Sequence, residues 1–205
     1  MTTREPQLSI NKEVMIPGER NKRLLKYLEI GLIPALPFEA TALDVRMQKF
    51  KKEQYDLGVK LGEAMSQSSE TWHDNAPADA INMESVVLAN QADKTNSTLT
   101  SSVPFDYPQP EDPEITLGSL IEISYDNDDR EVVYLTGITR DIDIINSYTD
   151  SNFPDSFMAV TISSPLGQCL IGAHEGENHS YTTKRKKHSI TILSVAHQSL
   201  NPKSI

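Results

Sequence analysis

A polar stretch between two regular helical patterns carries the side chains most able to do chemistry in this chain. The stretch covers residues 67–77 and contains two carboxylates, Glu70 and Asp74. In the simplest interpretation, Asp74 caps the helix that follows and Glu70 is a solvated loop charge. Trp72 is the only tryptophan, and such a ring on a polar loop indicates either a contact surface or a ring folded back onto the helices. Its neighbour His73 is either a plain loop residue or a metal ligand.

Two heptad patterns flank this stretch and must position it. Apolar residues recur at alternating steps of four and three within residues 39–66, with Gln54 as the polar member. The apolar members are Leu43, Met47, Phe50, Leu57, Leu61 and Ala64. The corresponding members within residues 78–99 are Ile81, Ser85, Leu88, Ala92, Thr95 and Leu99. Two narrow seams joined by a short connection predict an antiparallel helical hairpin with residues 67–77 at its tip. The stretch 95–98 has poor helix propensity and is expected to fray.

Net charge, cysteine count and hydropathy limit the classes of function that this chain can have. The chain has 205 residues and a formal net charge of −10, which argues against general nucleic-acid affinity because phosphate binding needs a basic face. Cys169 is the only cysteine, so no disulfide framework exists and a reducing cytoplasm is the expected compartment. No apolar run approaches the length of a membrane span and the N-terminus has no signal-peptide core. We therefore expect a soluble cytoplasmic protein without membrane contact.

The order of patterns along the chain predicts four parts. Residues 1–36 form an N-terminal extension with a short helix, and its packing partner is open among the hairpin, the globular domain and another molecule. Residues 37–103 form the helical hairpin. A proline-rich linker, 104–114, follows. The last part, 115–205, reads as a domain of several strands and one short helix.

A short helix organises the last part. In the segment Ser163–Gly167, two serines suited to capping precede a proline suited to the first helical turn, and Gly172 ends the helix. Cys169 lies on this helix and is expected to be a small core residue. Strands are predicted on both sides, over residues 157–162 and 189–195.

This arrangement resembles a known family. The strand, the Ser-Ser-Pro-Leu-Gly helix, the Glu175–Glu177 turn and the closing strand resemble the C-terminal domain of the GreA/GreB transcript-cleavage factors of bacterial RNA polymerase. The strands predicted over residues 115–123 and 131–137 are similar to the same family. The resemblance implies an α+β fold, with an N-terminal antiparallel α-helical coiled-coil hairpin and a C-terminal FKBP-like antiparallel β domain. It also implies that the hairpin enters the secondary channel of the polymerase while the β domain docks on the channel rim.

The resemblance assigns a role to the tip. In the family, two tip acids help to hold a second Mg²⁺ in the active centre of the polymerase. Asp74-Asn75-Ala76 stands where the family has Glu-Asn-Ala, so Asp74 takes the main acidic role. The second acidic position falls on Thr71, and Glu70 lies one residue out of register. Mg²⁺ keeps several waters, so such carboxylates complete a site without binding the ion stably alone. The protein is then not an enzyme and has no cofactor of its own.

Further contacts and three functions follow from the resemblance. Contacts at the tip are expected from Trp72, His73 and Asn75, and polymerase docking from Ser164, Pro165, Leu166 and Gly167. The first function is stimulation of transcript elongation through cleavage of backtracked nascent RNA, whose 3′ end is contacted indirectly, by a monomer. The second is a channel-binding modulator or inhibitor without cleavage. The third is a peptidyl-prolyl isomerase, which the fold alone does not support.

One basic cluster remains, Lys184-Arg185-Lys186-Lys187, between the last two predicted strands. The simplest interpretation is a solvated hairpin turn. The alternative is a contact with nucleic acid or with an acidic partner surface.

Overall fold

The computed structural model describes residues 18–67, 76–109, 112–148, 153–184 and 186–197. The helices are α1 (Glu19–Glu29), α2 (Pro37–Gln67), α3 (Ala76–Ser101), α4 (Ile142–Tyr148) and α5 (Pro165–Leu170). The strands are β1 (Ile33–Ala35), β2 (Ser102–Pro104), β3 (Ser119–Tyr125), β4 (Arg130–Thr136), β5 (Met158–Thr161), β6 (Asn178–Thr183) and β7 (Lys186–His197). None of the described helices has the length and apolar character needed to cross a membrane.

The predicted helical hairpin is confirmed. Helices α2 and α3 pack along the seam that the heptads predict, where Phe50, Leu57 and Leu88 are buried. Half-buried members of the same cluster are Met47, Ile81 and Ala92. The polar member Gln54 is exposed, so the seam tolerates it without burying its amide. The hairpin is held by a thin apolar seam rather than by a wide core.

The end of α3 differs from the prediction, because it does not fray before Ser101. Hydroxyl groups in the stretch 95–98 donate to carbonyl oxygens one turn back: Thr95 Oγ1 to Gln91 at 3.0 Å and Thr98 Oγ1 to Lys94 at 3.0 Å. These bonds satisfy the hydroxyls inside the helix, where weak propensity alone would favour irregular backbone. Strand β2 follows at once and holds the helix end in place.

The N-terminal extension packs on the β domain. Leu24 of α1 and Leu36 are fully buried in the core of that domain. Asn21 Nδ2 donates to the backbone oxygen of Ile115 at 3.0 Å and to Glu114 Oε2 at 2.9 Å. Of the three partners that the sequence left open for residues 18–36, the globular domain is therefore the one contacted.

The strands that lead into and out of the hairpin pair with each other. Strand β1 runs parallel to β2, with Ile33 opposite Ser102 and Ala35 opposite Pro104. Phe105, in the segment predicted as a linker, is 3% exposed and belongs to the β-domain core. Both ends of the hairpin are thus attached to the same body.

The β domain is a five-stranded sheet in the order β5-β4-β3-β7-β6. The predicted α+β class is confirmed, with one correction to the antiparallel expectation: β5 runs parallel to β4. A parallel neighbour requires a crossover connection, and α4 lies in the chain between these two strands. The first strand begins at Ser119 rather than at Ile115, because residues 115–118 lie in the core as irregular backbone.

Replacing Leu57 by alanine should destabilise the hairpin, because this side chain is 5% exposed and lies in the seam. We expect Leu57→Ala to lower the free energy of unfolding by about 2–4 kcal/mol. Val59→Ala is the matched control on the same helix, because Val59 is 47% exposed, and its effect should stay within about 0.5 kcal/mol. Thermal unfolding followed by circular dichroism measures both. Equal losses of unfolding free energy in the two variants would contradict the assignment of Leu57 to the apolar seam.

Candidate functional site

The residues predicted to act at the hairpin tip lie outside the described residues. These residues are Glu70, Thr71, Trp72, His73, Asp74 and Asn75. What the structure gives is the support on either side: α2 ends at Gln67 and α3 begins at Ala76. With 31 residues, α2 is about 46 Å long, so its end is far from the β domain. The roles assigned to the tip residues stay predictions.

The outer faces of the hairpin expose apolar side chains. The two most exposed are Tyr55 and Met83, at 74% and 73%. Others on the two helices are Val45, Val59, Met65, Val86 and Val87. Single exposed apolar side chains are ordinary on a protein surface, whereas large contiguous patches mark contact surfaces. The hairpin therefore offers apolar contact area on faces that its own seam leaves uncovered.

A buried carboxylate fixes the base of the hairpin to the β domain. Glu39, in the first turn of α2, is 1% exposed. Its Oε2 accepts from the backbone N–H of Leu36 at 2.9 Å and of Gly137 at 3.1 Å. Its Oε1 accepts from the N–H of Ile138 at 2.7 Å and of Thr139 at 2.9 Å. One side chain thus joins the helix start to the loop after β4.

The electrostatics of this contact depend on two opposing effects. Burial raises the pKa of the Glu39 carboxyl above its usual value, and the four N–H bonds lower it. In all four bonds a backbone N–H group donates to a carboxyl oxygen, so a proton on either oxygen would compete with one of these donors. Gly137 lets the backbones approach, because a Cβ there would lie 1.8 Å from the carbonyl oxygen of Pro34. The loop and the helix start are therefore fitted to each other at the level of the backbone.

The predicted docking motif is first of all a structural unit. Ser164 caps α5 by accepting from the N–H of Gly167 at 3.1 Å, and its hydroxyl donates to the backbone oxygen of Thr161 at 2.7 Å. Leu166 is 6% exposed and Gly167 is buried, whereas Pro165 is exposed. A Cβ on Gly167 would lie 2.2 Å from the oxygen of Thr161. Within this motif, direct contact with a partner is open to Pro165, while the buried residues position it.

A cleft of about 350 Å³ opens between the hairpin base and the β domain. Cationic side chains from three elements line it: Arg46 of α2, Lys94 of α3 and Arg140 after β4. Glu39 and Asp141 supply acidic groups to the same cleft. Among the described residues, no group of three or more histidine, cysteine or acidic side chains could hold a metal ion. The cleft marks the junction of the two parts.

Sequence reasoning missed Glu39, whose carboxylate accepts four backbone N–H bonds at the junction. An acid in the first turn, two residues after Pro37, fits the ordinary helix-start pattern and gives no sign of a distant partner. The partner loop, residues 137–139, is nearly a hundred positions away and donates only backbone N–H groups. The one available signal was Gly137, a glycine at the end of the strand predicted over residues 131–137.

The chain matches one family model and is similar to several solved structures. Residues 109–197 match the family model described as transcription elongation factor, GreA/GreB, C-terminal domain. The chain is similar to the GreA factor homolog 1 (Gfh1) protein of Thermus thermophilus, with 19% identity, 80% of this chain and 98% of that chain covered, and a TM-score of 0.36. It is also similar to Gfh1 of Thermus aquaticus, with 18% identity, 81% of this chain and 99% of that chain covered, and a TM-score of 0.35. A GreA/GreB transcription elongation factor from Nitrosomonas europaea is similar as well, with 13% identity, 80% of this chain and 98% of that chain covered, and a TM-score of 0.29. A search of curated proteins finds no match.

Replacing Glu39 by glutamine should destabilise the junction, because the amide group leaves two of the four buried N–H donors without an acceptor. We expect Glu39→Gln to cost about 2–5 kcal/mol of unfolding free energy. Glu53→Gln is the control on the same helix, because Glu53 is half-buried and its ion pair with Lys49, at 3.8 Å, is open to solvent. Its cost should not exceed about 0.5 kcal/mol. Chemical unfolding monitored by fluorescence measures both, and a neutral Glu39→Gln would show that the contact contributes nothing.

Proposed function

We propose that this protein, which residues 109–197 identify as a divergent member of the GreA/GreB family of transcription elongation factors, binds RNA polymerase and stimulates cleavage of backtracked nascent RNA. The observation that carries the proposal is the combination of this family's C-terminal domain with a long helical hairpin fixed to it at the base. Each part alone has many uses, and together they match what the resemblance implies.

The hairpin has the shape that entry into a channel needs. Two packed helices make a narrow rod, and α2 alone reaches about 46 Å from the junction. Exposed apolar side chains such as Tyr55 and Met83 would contact the channel wall. The short linking segment, residues 68–75, would then face the active centre of the polymerase, with Trp72, His73 and Asn75 as contacts.

The chemistry belongs to the polymerase, and this chain would supply a carboxylate. Asp74 would add an oxygen ligand to a second Mg²⁺ of the polymerase, which clamps the attacking water and the leaving oxygen in phosphodiester hydrolysis. Glu70 would assist from a neighbouring position. The protein would then be a stimulating factor and not itself a catalyst, and it would contact the RNA 3′ end only indirectly.

The β domain would dock on the polymerase and set the reach of the tip. Pro165 is exposed at the start of α5, and Ser164 and Gly167 fix its position through the helix cap. Because Glu39 joins the hairpin base to the β domain, docking of one part orients the other. Leu166 would act through packing, since it is almost fully buried.

A second function is favoured by one feature of the tip. The position of the second family acid falls on Thr71, and a hydroxyl is a weaker Mg²⁺ ligand than a carboxylate. A factor that occupies the channel without assisting the metal would modulate or inhibit transcription instead of promoting cleavage. The two functions share the same docking and differ only in what the tip does.

Asp74→Asn distinguishes a metal ligand from a helix cap, because asparagine caps a helix about as well as aspartate but carries no charge. We expect RNA cleavage in a stalled, backtracked complex to fall roughly a hundredfold or more, while polymerase binding and folding persist. Glu70→Gln should reduce cleavage less. Asp79→Asn is the control, because Asp79 is an exposed acid in the first turn of α3 and should leave the rate unchanged.

The same assay decides between the two functions. Wild-type protein that produces no cleavage but competes with a cleavage factor for the polymerase would establish the modulator and return Asp74 to a capping role. Wild-type protein that neither stimulates cleavage nor competes with a cleavage factor for the polymerase would overturn the proposal altogether.

A further inference from the structure

The last hairpin of the sheet projects beyond its neighbours as a two-stranded arm. The pairing of β7 with β3 ends where Ile190 lies opposite Tyr125. Strands β6 and β7 continue to pair past this point, from Ser180 opposite Ser189 to Thr183 opposite Lys186. Four rungs spaced about 3.4 Å apart give an arm of roughly 10 Å plus its turn. We name residues 180–184 and 186–189 the β-arm.

The end of the β-arm is cationic. Lys184, Lys186 and Lys187 are exposed, and no salt bridge among the described residues involves them. Arg185 adds a fourth cation in the sequence. The chain as a whole has a net charge of −10, so four consecutive cations are a local exception. Within the described part of the protein, the charges of Lys184, Lys186 and Lys187 are not used in ion pairs.

In the turn of the β-arm, a lysine occupies a backbone conformation that is strained for most residues. Lys184 has a φ of 52°, in the left-handed region that glycine and asparagine adopt most easily. Tight hairpin turns normally use those residues for that reason. A lysine here places charge at the tip where backbone preference alone would select another residue.

Cross-strand contacts stiffen the β-arm. The rings of Tyr181 and His188 stack with centroids 5.0 Å apart and an angle of 11° between their planes. Thr183 Oγ1 and His188 Nε2 share a hydrogen bond of 2.9 Å. An isolated two-stranded hairpin is marginally stable, and paired side chains of this kind are what stabilises it. The cations are therefore carried on a supported arm.

We propose that the β-arm binds the phosphate backbone of duplex nucleic acid. DNA carries about one charge per 1.7 Å of helix axis, a density well suited to a compact group of cations on a narrow support. The major groove, about 12 Å wide, admits a two-stranded β-ribbon. Lysines act as point charges, so the contact positions the duplex without reading its sequence.

The neighbouring acidic turn restricts this contact to the tip. Asp126, Asp128 and Asp129 follow the end of β3, at the same end of the sheet as the β-arm, and are exposed. Their charges repel phosphate, so only the part of the β-arm beyond them is favourable. The binding is accordingly weak and strongly dependent on salt. This inference goes beyond the proposed function and does not rest on it.

Fluorescence anisotropy with a labelled 20-base-pair DNA duplex and the full chain tests the proposal. We expect binding at low salt, with log K falling against log salt at a slope of about −3 for the phosphate contacts of the three lysines. The variant Lys184→Asn, Lys186→Thr and Lys187→Gln should weaken binding about tenfold or more and reduce the slope by about 3. The chosen residues suit a turn and exposed strands, so folding should persist.

A matched control removes equal charge elsewhere, with Lys49→Gln, Lys51→Gln and Lys52→Gln on the exposed side of α2. Binding by this variant should equal that of the wild type. Conversely, Asp126→Asn, Asp128→Asn and Asp129→Asn should strengthen binding severalfold, because repulsion is removed.

Several results would overturn the proposal. They are absence of wild-type binding at low salt, equal losses in the two lysine variants, and β-arm-dependent binding to polyglutamate but not to DNA. If the triple β-arm variant unfolds at a lower temperature, Lys187→Gln alone replaces it, with an expected slope reduction of about 1.

Discussion

A buried carboxylate links the two parts of this protein at the base of the hairpin. Glu39 accepts four backbone N–H bonds, one from the residues leading into α2 and three from the loop after β4. Backbone donors are fixed by the fold and cannot rotate to another partner, so they define one position for the carboxylate. A helix of 31 residues multiplies any tilt at its base into a large displacement at its end. The position of the hairpin tip therefore depends on a contact some 40 Å away.

Features with a strong local period could be predicted from the sequence. The heptad steps in residues 39–66 and 78–99 gave the hairpin and its seam, because a narrow apolar stripe has few other uses. The capping serine, the proline and Gly172 gave α5 within a residue or two. Both signals lie within a few positions of the structure that they produce.

Features that depend on distant partners could not be predicted in this way. The packing of Leu24 on the β domain, the pairing of β1 with β2, and the anchor at Glu39 all join segments far apart in sequence. The parallel position of β5 depends on the path of a crossover, which no local pattern encodes. For the site, residue types indicated the tip acids, and only the structure showed that Leu166 and Gly167 of the docking motif are buried supports.

The pairing of β1 with β2 has a consequence for how the chain folds. Ala35 and Pro104 must meet although 68 residues separate them, and closing a flexible loop of that length costs roughly 4 kcal/mol in chain entropy. If α2 and α3 pair first, their antiparallel contact already brings these ends together, and most of that entropy is lost inside a locally favourable step. The hairpin then serves as a folding scaffold for the β domain, whose core includes Leu36 from before it and Phe105 from after it. A weakened seam would thus slow the assembly of a core that the seam never touches.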